Sequence, residues 1–220
     1  MTVVVAIDGP SGSGKSTVAR GVAVALGLPV LDTGAIYRAV TLAALEAKVT
    51  LDDADAVTAI AGDCTITVEH GVTMLDGRDV SAEIRGPLVT GAVSIVSAHP
   101  GVRAILVAYQ RAWVAGHGGG VVEGRDIGTV VFPDATVKVF LVATDDERAR
   151  RRHGDEMAAA RAVAVEEVKA ALDRRDAIDS GRSISPLRAA DDAIVIDNTH
   201  IDVDTVVVDI VNRVRTAEAS

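Results

Sequence analysis

Short runs of apolar residues alternate along the chain with longer stretches in which apolar residues recur every three or four positions. The short runs are rich in Val and Ile, which is typical of strands buried on both faces of a parallel sheet. They predict strands at 3–7, 28–31, 121–122, 137–142 and 193–196. The longer stretches predict helices at 15–26, 33–48, 102–115, 145–152, 164–179 and 202–215.

This alternation predicts an α/β fold with a doubly wound parallel five-stranded sheet and helices on both of its faces. One region departs from the alternation, because residues 64–80 form short polar and apolar alternations separated by His70-Gly71 and Asp76-Gly77. Such pairs favour tight hairpin turns. We therefore expect a β-rich insertion into the α/β core at about 60–90.

Charge and composition restrict the ligands and the cellular setting that we expect. A net charge of −9 would repel a polyanion over most of the surface, which argues against a nucleic acid polymer as partner. A local arginine cluster could still bind a small phosphorylated ligand. Cys64 is the only cysteine, the five histidines lack ligand spacing, and no apolar run approaches the roughly 20 residues of a membrane span. We expect a cytoplasmic monomer that does not bind membranes.

A phosphate-binding loop is indicated between the first predicted strand and the first predicted helix. The residues in order are Gly9, Pro10, Ser11, Gly12, Ser13, Gly14, Lys15, Ser16 and Thr17, which match G-x-x-x-x-G-K-[ST]. Glycines let the backbone N–H groups turn toward phosphate oxygens, and the start of the helix adds its positive dipole end. Lys15 would bridge the β- and γ-phosphates of a nucleoside triphosphate, and the Ser16 hydroxyl would bind Mg²⁺. The alternative is an ordinary glycine-rich turn before a helix.

Further chemistry is expected where other predicted strands end, because ligands bind at the carboxyl ends of strands in doubly wound sheets. Residues 32–38 place a hydroxyl, an aromatic ring and a guanidinium after the second strand, and residues 123–129 follow the central strand. Arginines recur in the run 148–152 and again at Arg175 and Arg182. An N-K-x-D tetrapeptide that would read guanine is absent from the sequence, so a guanine-nucleotide switch is excluded.

Four segments together resemble the bacterial cytidylate kinases, in the order of that family. They read Gly-Pro-Ser-Gly-Ser-Gly-Lys-Ser, Asp-Thr-Gly-Ala-Ile-Tyr-Arg, Gly-Arg-Asp-Ile-Gly-Thr-Val-Val-Phe-Pro-Asp-Ala and Asp-Ser-Gly-Arg-Ser-Ile-Ser-Pro-Leu. The resemblance covers nearly the whole chain, and it implies phosphorylation of CMP and dCMP by ATP with Mg²⁺. It also implies one P-loop kinase domain over 1–220. The parts expected are a core at about 1–59, 91–147 and 183–220, a monophosphate-binding insertion at 60–90, and an arginine-rich lid at 148–165.

The resemblance also implies residue roles. Arg38 and Arg125 would hold the acceptor phosphate with Thr33 and Tyr37 nearby, while Ser94, Arg103 and Asp126 would read the cytosine edge. Arg175 and Asp179 would contact the sugar, and Arg182 would contact the phosphates at closure. Arg148, Arg151 and Arg152 would fold over ATP as the lid, and Lys15, Arg125, Arg148 and Arg151 would act in catalysis. Two positions, Glu123 and Gly181, carry residues other than those most common in the family.

Simpler interpretations of these residues exist. Arg175 and Asp179 are four residues apart and could form a solvent-facing helix ion pair, and the run 148–152 could be a solvated helix face. Two other functions also stay open. The chain could be a P-loop kinase of another small acceptor, such as UMP or an alcohol. It could instead be a non-catalytic module that senses a nucleotide.

Overall fold

The computed structural model describes residues 2–158, 163–182 and 184–219. The strands are β1 (Val3–Asp8), β2 (Val30–Asp32), β3 (Ile66–Glu69), β4 (Val72–Leu75), β5 (Arg78–Asp79), β6 (Gly119–Gly124), β7 (Val137–Val142) and β8 (Ile194–Asp197). The helices are α1 (Lys15–Leu26), α2 (Thr33–Glu46), α3 (Ala54–Asp63), α4 (Pro87–Val96), α5 (Pro100–His117), α6 (Asp145–Ala158), α7 (Val165–Ser180) and α8 (Val203–Glu218).

The larger sheet is five-stranded, with the strand order β2-β6-β1-β7-β8, and a second sheet is three-stranded, with the order β3-β4-β5. The chain divides into two compact units. One comprises Met1–Leu28 and Gly120–Ser220, and the other comprises Pro29–Gly119. The predicted α/β class with a parallel five-stranded sheet is confirmed.

The first unit is built on parallel pairing of β1 with β7 and of β7 with β8. Apolar runs form β1 and β7 because both of their faces are covered, and Ile7 and Leu141 are fully buried, whereas the edge strand β8 leaves Val195 exposed. Helix α1 packs on α8 so closely that a Cβ at Gly21 would lie 2.7 Å from a methyl group of Val207. This close packing fixes the position of α1, and the phosphate-binding loop lies directly before the first turn of that helix.

The second unit combines helices with the three-stranded antiparallel sheet. Two-residue turns join its strands, at His70-Gly71 between β3 and β4 and at Asp76-Gly77 between β4 and β5. All four turn residues have positive φ, between 50° and 81°. This is the geometry of the turn that matches strand twist, and Asn, Asp and Gly adopt it most easily. The two predicted hairpin turns are thus confirmed.

Two helices of the second unit were not predicted. The β-rich stretch expected at 60–90 is shorter than that, because strands occupy only 66–79 while α3 ends at Asp63 and α4 begins at Pro87. Helix α4 is rich in β-branched residues, which disfavour helices intrinsically. Its residues Val89, Ala92, Val93 and Val96 are nevertheless buried at helical spacing, and α4 packs on α2. Tertiary packing therefore outweighs local propensity here.

Within the described residues, no single helix is both long and apolar enough to cross a membrane. By length and composition alone, the bent pair Pro87–Val96 and Pro100–His117, with 101° between its helices, would pass that test together.

Candidate active site

The phosphate-binding loop lies between β1 and α1, as predicted, and close packing shapes it. Gly9 has φ 149°, and a Cβ there would lie 2.1 Å from the carbonyl oxygen of Leu141. Gly14 has φ 88° and caps α1 in a left-handed conformation that other residues rarely adopt. Lys15 is the first residue of α1, and Thr17, two residues further along the helix, is exposed.

Lys15 is the buried cation of this loop. Its Nζ donates to the carbonyl oxygen of Pro10 at 2.7 Å and to Oγ of Ser13 at 3.5 Å. Burial, and next the positive charge of Arg125, lower the pKa of Lys15 from 10.5 to about 7. An anion placed beside such a buried ammonium group stabilises its charged form. The loop therefore has an electrostatic reason to bind phosphate.

Oxygen ligands suited to Mg²⁺ lie next to the loop. The Ser16 hydroxyl donates to Oε2 of Glu123 at 2.9 Å, and Glu123 is buried at the end of β6. A hydroxyl and a carboxylate are hard oxygen donors, and Mg²⁺ typically binds one or two carboxylates together with substrate phosphates. The pair fits the expected metal. Ser16 was predicted as a ligand, whereas Glu123 was not.

Asp8, at the end of β1, organises the segment that follows β6. Its carboxylate accepts hydrogen bonds from the backbone N–H groups of Ile127 and Gly128, at 2.8 and 2.7 Å. These residues begin a short π-helical turn, Ile127–Val131, directly after Asp126, which is itself buried. Burial raises the pKa of Asp8 to about 6 even though the two amides oppose this. Asp8 was not predicted as a site residue, although its position just before the loop was a usable signal.

A cluster of three arginines surrounds the buried carboxylate of Asp179. Arg125 Nε donates to Asp179 Oδ2 at 2.9 Å, Arg182 donates to Oδ1, and Arg175 Nε lies 3.8 Å from Oδ2. Burial by itself would raise the pKa of Asp179, but the three guanidinium groups together outweigh burial, so the pKa lies below its usual value. We call these four residues the Asp179 cluster. It carries a net positive charge, which favours an anion.

The Asp179 cluster lies against the phosphate-binding loop. Arg125 Nη1 donates to the carbonyl oxygen of Gly9 at 3.1 Å, and Arg175 Nη1 donates to Oγ of Ser11 at 3.4 Å. Asp179 has only 1% of its surface exposed. The interpretation of Arg175 and Asp179 as a solvent-facing helix pair is therefore wrong, because the carboxylate is buried and bridges to another segment of the chain.

Helix α6 carries the arginines predicted to form a lid. Arg148 Nη1 donates to the carbonyl oxygen of Ser11 at 3.0 Å and pairs with Asp176, while its Nη2 donates to Asp145 at 2.7 Å. Burial lowers the pKa of Arg148, but these two carboxylates raise it overall. The interpretation of this run as a solvated face is wrong for Arg148, which is buried. Residues 159–162 of the predicted lid, 148–165, lie outside the described residues.

Arg151 and Arg152 differ in what they contact. Arg151 Nη1 lies 3.3 Å from the carbonyl oxygen of Ser13, and its Nε donates to Glu147 at 2.7 Å. Arg152 pairs with Glu156 on the same helix, at 2.5 Å. Two of the three predicted lid arginines, Arg148 and Arg151, thus contact the phosphate-binding loop.

The second unit holds the other predicted site residues on α2, α4 and α5. Arg103 lies with its guanidinium carbon 5.6 Å from the ring centre of Tyr37, and its Nη1 donates to the carbonyl oxygen of Ser97 at 3.3 Å. Arg38 Nη1 donates to Oγ1 of Thr90 at 2.8 Å and to the carbonyl oxygen of Ile84 at 2.9 Å. These contacts orient both guanidinium groups.

Thr33 and Ser94 are buried within the second unit as well, on the first turn of α2 and on α4. Asp32 caps α2 by accepting from the N–H of Ala35 at 3.1 Å, and it pairs with Arg85 at 3.0 Å. The cap positions Thr33 at the helix start, where backbone N–H groups favour an anion.

Comparison with known proteins shows the family to which this chain belongs. A sequence model of the family described as cytidylate kinase matches residues 5–216. The chain belongs to the cytidylate kinase family. It is 54% identical over 201 residues to the cytidylate kinase of Mycobacterium avium (strain 104), covering 90% of this chain and 88% of that protein. It is 45% identical over 215 residues to the cytidylate kinase of Caldanaerobacter subterraneus subsp. tengcongensis, covering 98% and 96%.

A relative with a different domain organisation and a solved structure add to this comparison. The bifunctional pantoate ligase/cytidylate kinase of Synechococcus sp. (strain JA-2-3B'a(2-13)) is 50% identical over 204 residues, which cover 90% of this chain and 38% of that protein. An uncharacterized protein from Eubacterium ventriosum superimposes with a TM-score of 0.54 at 14% identity, covering 97% of this chain and 99% of that one. The structural match supports the fold alone.

Membership in the cytidylate kinase family confirms the resemblance inferred from the four motifs, and with it an enzyme of the nucleoside-monophosphate kinase type. The residue roles carried over from the motifs stay predictions. Sequence reasoning missed Asp8, Asp176 and Asn198, all of which contact the site by hydrogen bonds within the first unit. Asp176 accepts from the backbone N–H of Ser11 at 3.2 Å, and its signal was its place one residue after Arg175.

Proposed function

We propose that the protein transfers the γ-phosphoryl group of ATP to CMP and dCMP, giving ADP with CDP or dCDP. The observation that carries this proposal is the position of the Asp179 cluster. Three arginines converge on one buried carboxylate directly against a phosphate-binding loop that holds a buried lysine. Two phosphorylated substrates brought together need such an excess of fixed positive charge.

The donor side is formed by the loop and its metal ligands. The backbone N–H groups of the loop and Lys15 would bind the β- and γ-phosphates, and Ser16 with Glu123 would hold Mg²⁺. Bound Mg²⁺ neutralises phosphate charge. Arg148 and Arg151, with Arg152, would close over the nucleotide as the lid and exclude water, which otherwise competes as acceptor.

The acceptor phosphate does not need a general base. Its second pKa is about 6, so near neutral pH it is already largely the nucleophilic dianion. Catalysis then depends on orientation and charge, with Arg125 and Arg38 holding the acceptor phosphate, Thr33 and Tyr37 beside it, and Arg182 approaching at closure.

The base would be recognised by Asp126, Arg103 and Ser94. The exocyclic amine of cytosine is a hydrogen-bond donor and suits the Asp126 carboxylate. Uracil presents an acceptor there, and placing that acceptor against a buried carboxylate costs about 1–3 kcal/mol or more. Asp179 and Arg175 would contact the sugar. We expect the protein to act as a cytoplasmic monomer.

Coupled ADP production tests the proposal, with ATP, Mg²⁺ and CMP, dCMP, UMP, AMP or shikimate as parallel acceptors. Strong turnover with CMP and dCMP and little with the others is expected. Turnover restricted to UMP or an alcohol would retain the donor site and reject the acceptor assignment. Binding of ATP without turnover on any acceptor would favour the nucleotide-sensing alternative.

A further inference from the structure

Asn198, directly after β8, contacts the phosphate-binding loop through its side-chain amide. Its Nδ2 donates to the carbonyl oxygen of Ser13 at 2.9 Å, and its Oδ1 accepts from Nη1 of Arg151 at 3.1 Å. The residue has 2% of its surface exposed. Both ends of one buried amide are thus used, one on the loop and the other on the lid helix α6.

The backbone of Asn198 is anchored independently of these contacts. Its N–H donates to the carbonyl oxygen of Val142, the last residue of β7, at 2.9 Å. Its own carbonyl oxygen accepts from Nη2 of Arg151 at 2.9 Å. The side chain therefore extends from the rigid end of the sheet, and its position does not depend on the loop that it contacts.

Holding the carbonyl oxygen of Ser13 has a consequence for the next residue. A trans peptide is planar, so the C=O of Ser13 and the N–H of Gly14 point in opposite directions. A donor that fixes the carbonyl toward Asn198 also fixes the Gly14 N–H away from it. Gly14 has φ 88°, a glycine conformation that could otherwise flip at low cost.

We propose that Asn198 is a positioning residue for the phosphoryl donor, acting by orienting the Ser13–Gly14 peptide so that the Gly14 N–H is directed at the triphosphate. This inference deepens the proposed function and rests on it. Arg151 shares the same carbonyl oxygen at 3.3 Å. When Arg151 turns toward the nucleotide as a lid residue, Asn198 remains to hold the peptide, because its amide is anchored on the sheet.

The test uses Asn198→Leu, which removes both amide contacts at similar volume, and Asn198→Asp, which keeps the acceptor for Arg151 but loses the donor to Ser13. Asn212→Leu is the matched control, because Asn212 is exposed on α8. Calorimetry on the full chain measures dissociation constants for ATP, magnesium tripolyphosphate and CMP, each alone. Thermal unfolding of every variant is recorded in parallel.

We expect both Asn198 variants to bind ATP and magnesium tripolyphosphate about 10- to 100-fold more weakly. This is the range for losing one hydrogen bond to a charged group, here the bond from the Gly14 N–H to a phosphate. CMP binding should change less than about 2-fold, and Asn212→Leu should match the unaltered protein. Loss of ATP binding with normal tripolyphosphate binding would overturn the proposal in favour of a contact to the purine.

Three further outcomes would also overturn it. These are unchanged ATP binding, equal weakening of CMP and tripolyphosphate, or full phosphate affinity in Asn198→Asp when Asn198→Leu does not fold. Because tripolyphosphate binding is measured without acceptor or turnover, failure of the unaltered protein to phosphorylate CMP would reject the proposed function without deciding this test.

Discussion

Two arginine–carboxylate clusters, one in each unit, have opposite compositions and opposite surroundings. In the Asp179 cluster three arginines share one carboxylate, and the Asp179 side chain is 2% exposed. In the second unit one arginine, Arg78, pairs with Glu46 and Glu83 at 2.6 Å each, and all three side chains are about half exposed. Both clusters contain ion pairs at hydrogen-bonding distance, so distance does not distinguish them.

The difference shows that burial and charge balance determine the energy of an arginine–carboxylate cluster more than the distance between its charged atoms does. Water and salt screen exposed ion pairs, so these contribute about 0–1 kcal/mol. A buried group with surplus positive charge is costly until an anion arrives, and such a group is typical of a binding site. We expect changes at the Asp179 cluster, and at Lys15, whose pKa is lowered by burial and by Arg125, to have larger effects than a change at Arg78.

Loss of a cation at the phosphate site should have the largest effect. Lys15→Ala or Arg125→Ala should lower turnover with CMP by orders of magnitude and leave the fold intact, because each removes positive charge that we propose acts on the transferred phosphoryl group. Steady-state ADP release and circular dichroism measure the two quantities, with Arg78→Ala as the control for arginine loss. Near-normal turnover in either site variant would contradict the assigned roles.

Removal of the shared carboxylate should have the next largest effect. Asp179→Ala would remove the buried carboxylate that three guanidinium groups share, and breaking a buried ion pair in this way typically costs about 3–5 kcal/mol. Urea unfolding followed by fluorescence or circular dichroism would measure the loss. A loss below about 1 kcal/mol would mean that the cluster behaves like an exposed one.

The buried ammonium of Lys15 should make stability depend on pH. Its pKa is lowered from 10.5 to about 7 on folding, so between these values the unfolded chain binds more protons than the folded protein. Stability from this group therefore rises with pH between 7 and 10.5, with a slope of at most about 1.4 kcal/mol per pH unit. Lys15→Met should remove this rise and be more stable than the unaltered protein at pH 7. Unfolding free energies at pH 7 and pH 9 compare them, and equal slopes would argue against the lowered pKa.

The smallest effect is expected at the exposed cluster. Arg78→Ala should change the unfolding free energy by less than about 1 kcal/mol, and the change should shrink further in 1 M salt. Thermal unfolding at two salt concentrations measures both effects. A large loss that persists in high salt would remove the distinction between the two clusters.

The prediction from sequence was most accurate where short-range chemistry decides the structure. Helix α1 and strand β7 have the predicted bounds, and both hairpin turns lie at the predicted pairs. It was least accurate at α3 and α4. Helix α4 contains β-branched residues and a glycine, and it is helical because it buries one face against α2. A local pattern does not contain that partner surface.

The candidate site shows the same division. Its motif residues were found from the sequence because glycine geometry, a lysine and a hydroxyl at fixed spacing are a local requirement for phosphate binding. Asp176 and Asn198 were not found, because their contacts with Ser11 and Ser13 are long-range and leave no periodic or spaced pattern along the chain.

By itself, the sequence determined the phosphate-binding loop, the alternation of strands and helices, and through its motifs the kinase family. Only the tertiary structure decided which distant side chains hold that loop. Asn198 and Ser13 are 185 positions apart, and Asp176 and Ser11 are 165 apart, yet each pair is joined by a hydrogen bond. The reason is physical: parallel strands bring their carboxyl ends to one edge of the sheet, where Asn198 follows β8. Asp176 reaches the loop from helix α7, so both contacts depend on packing in three dimensions.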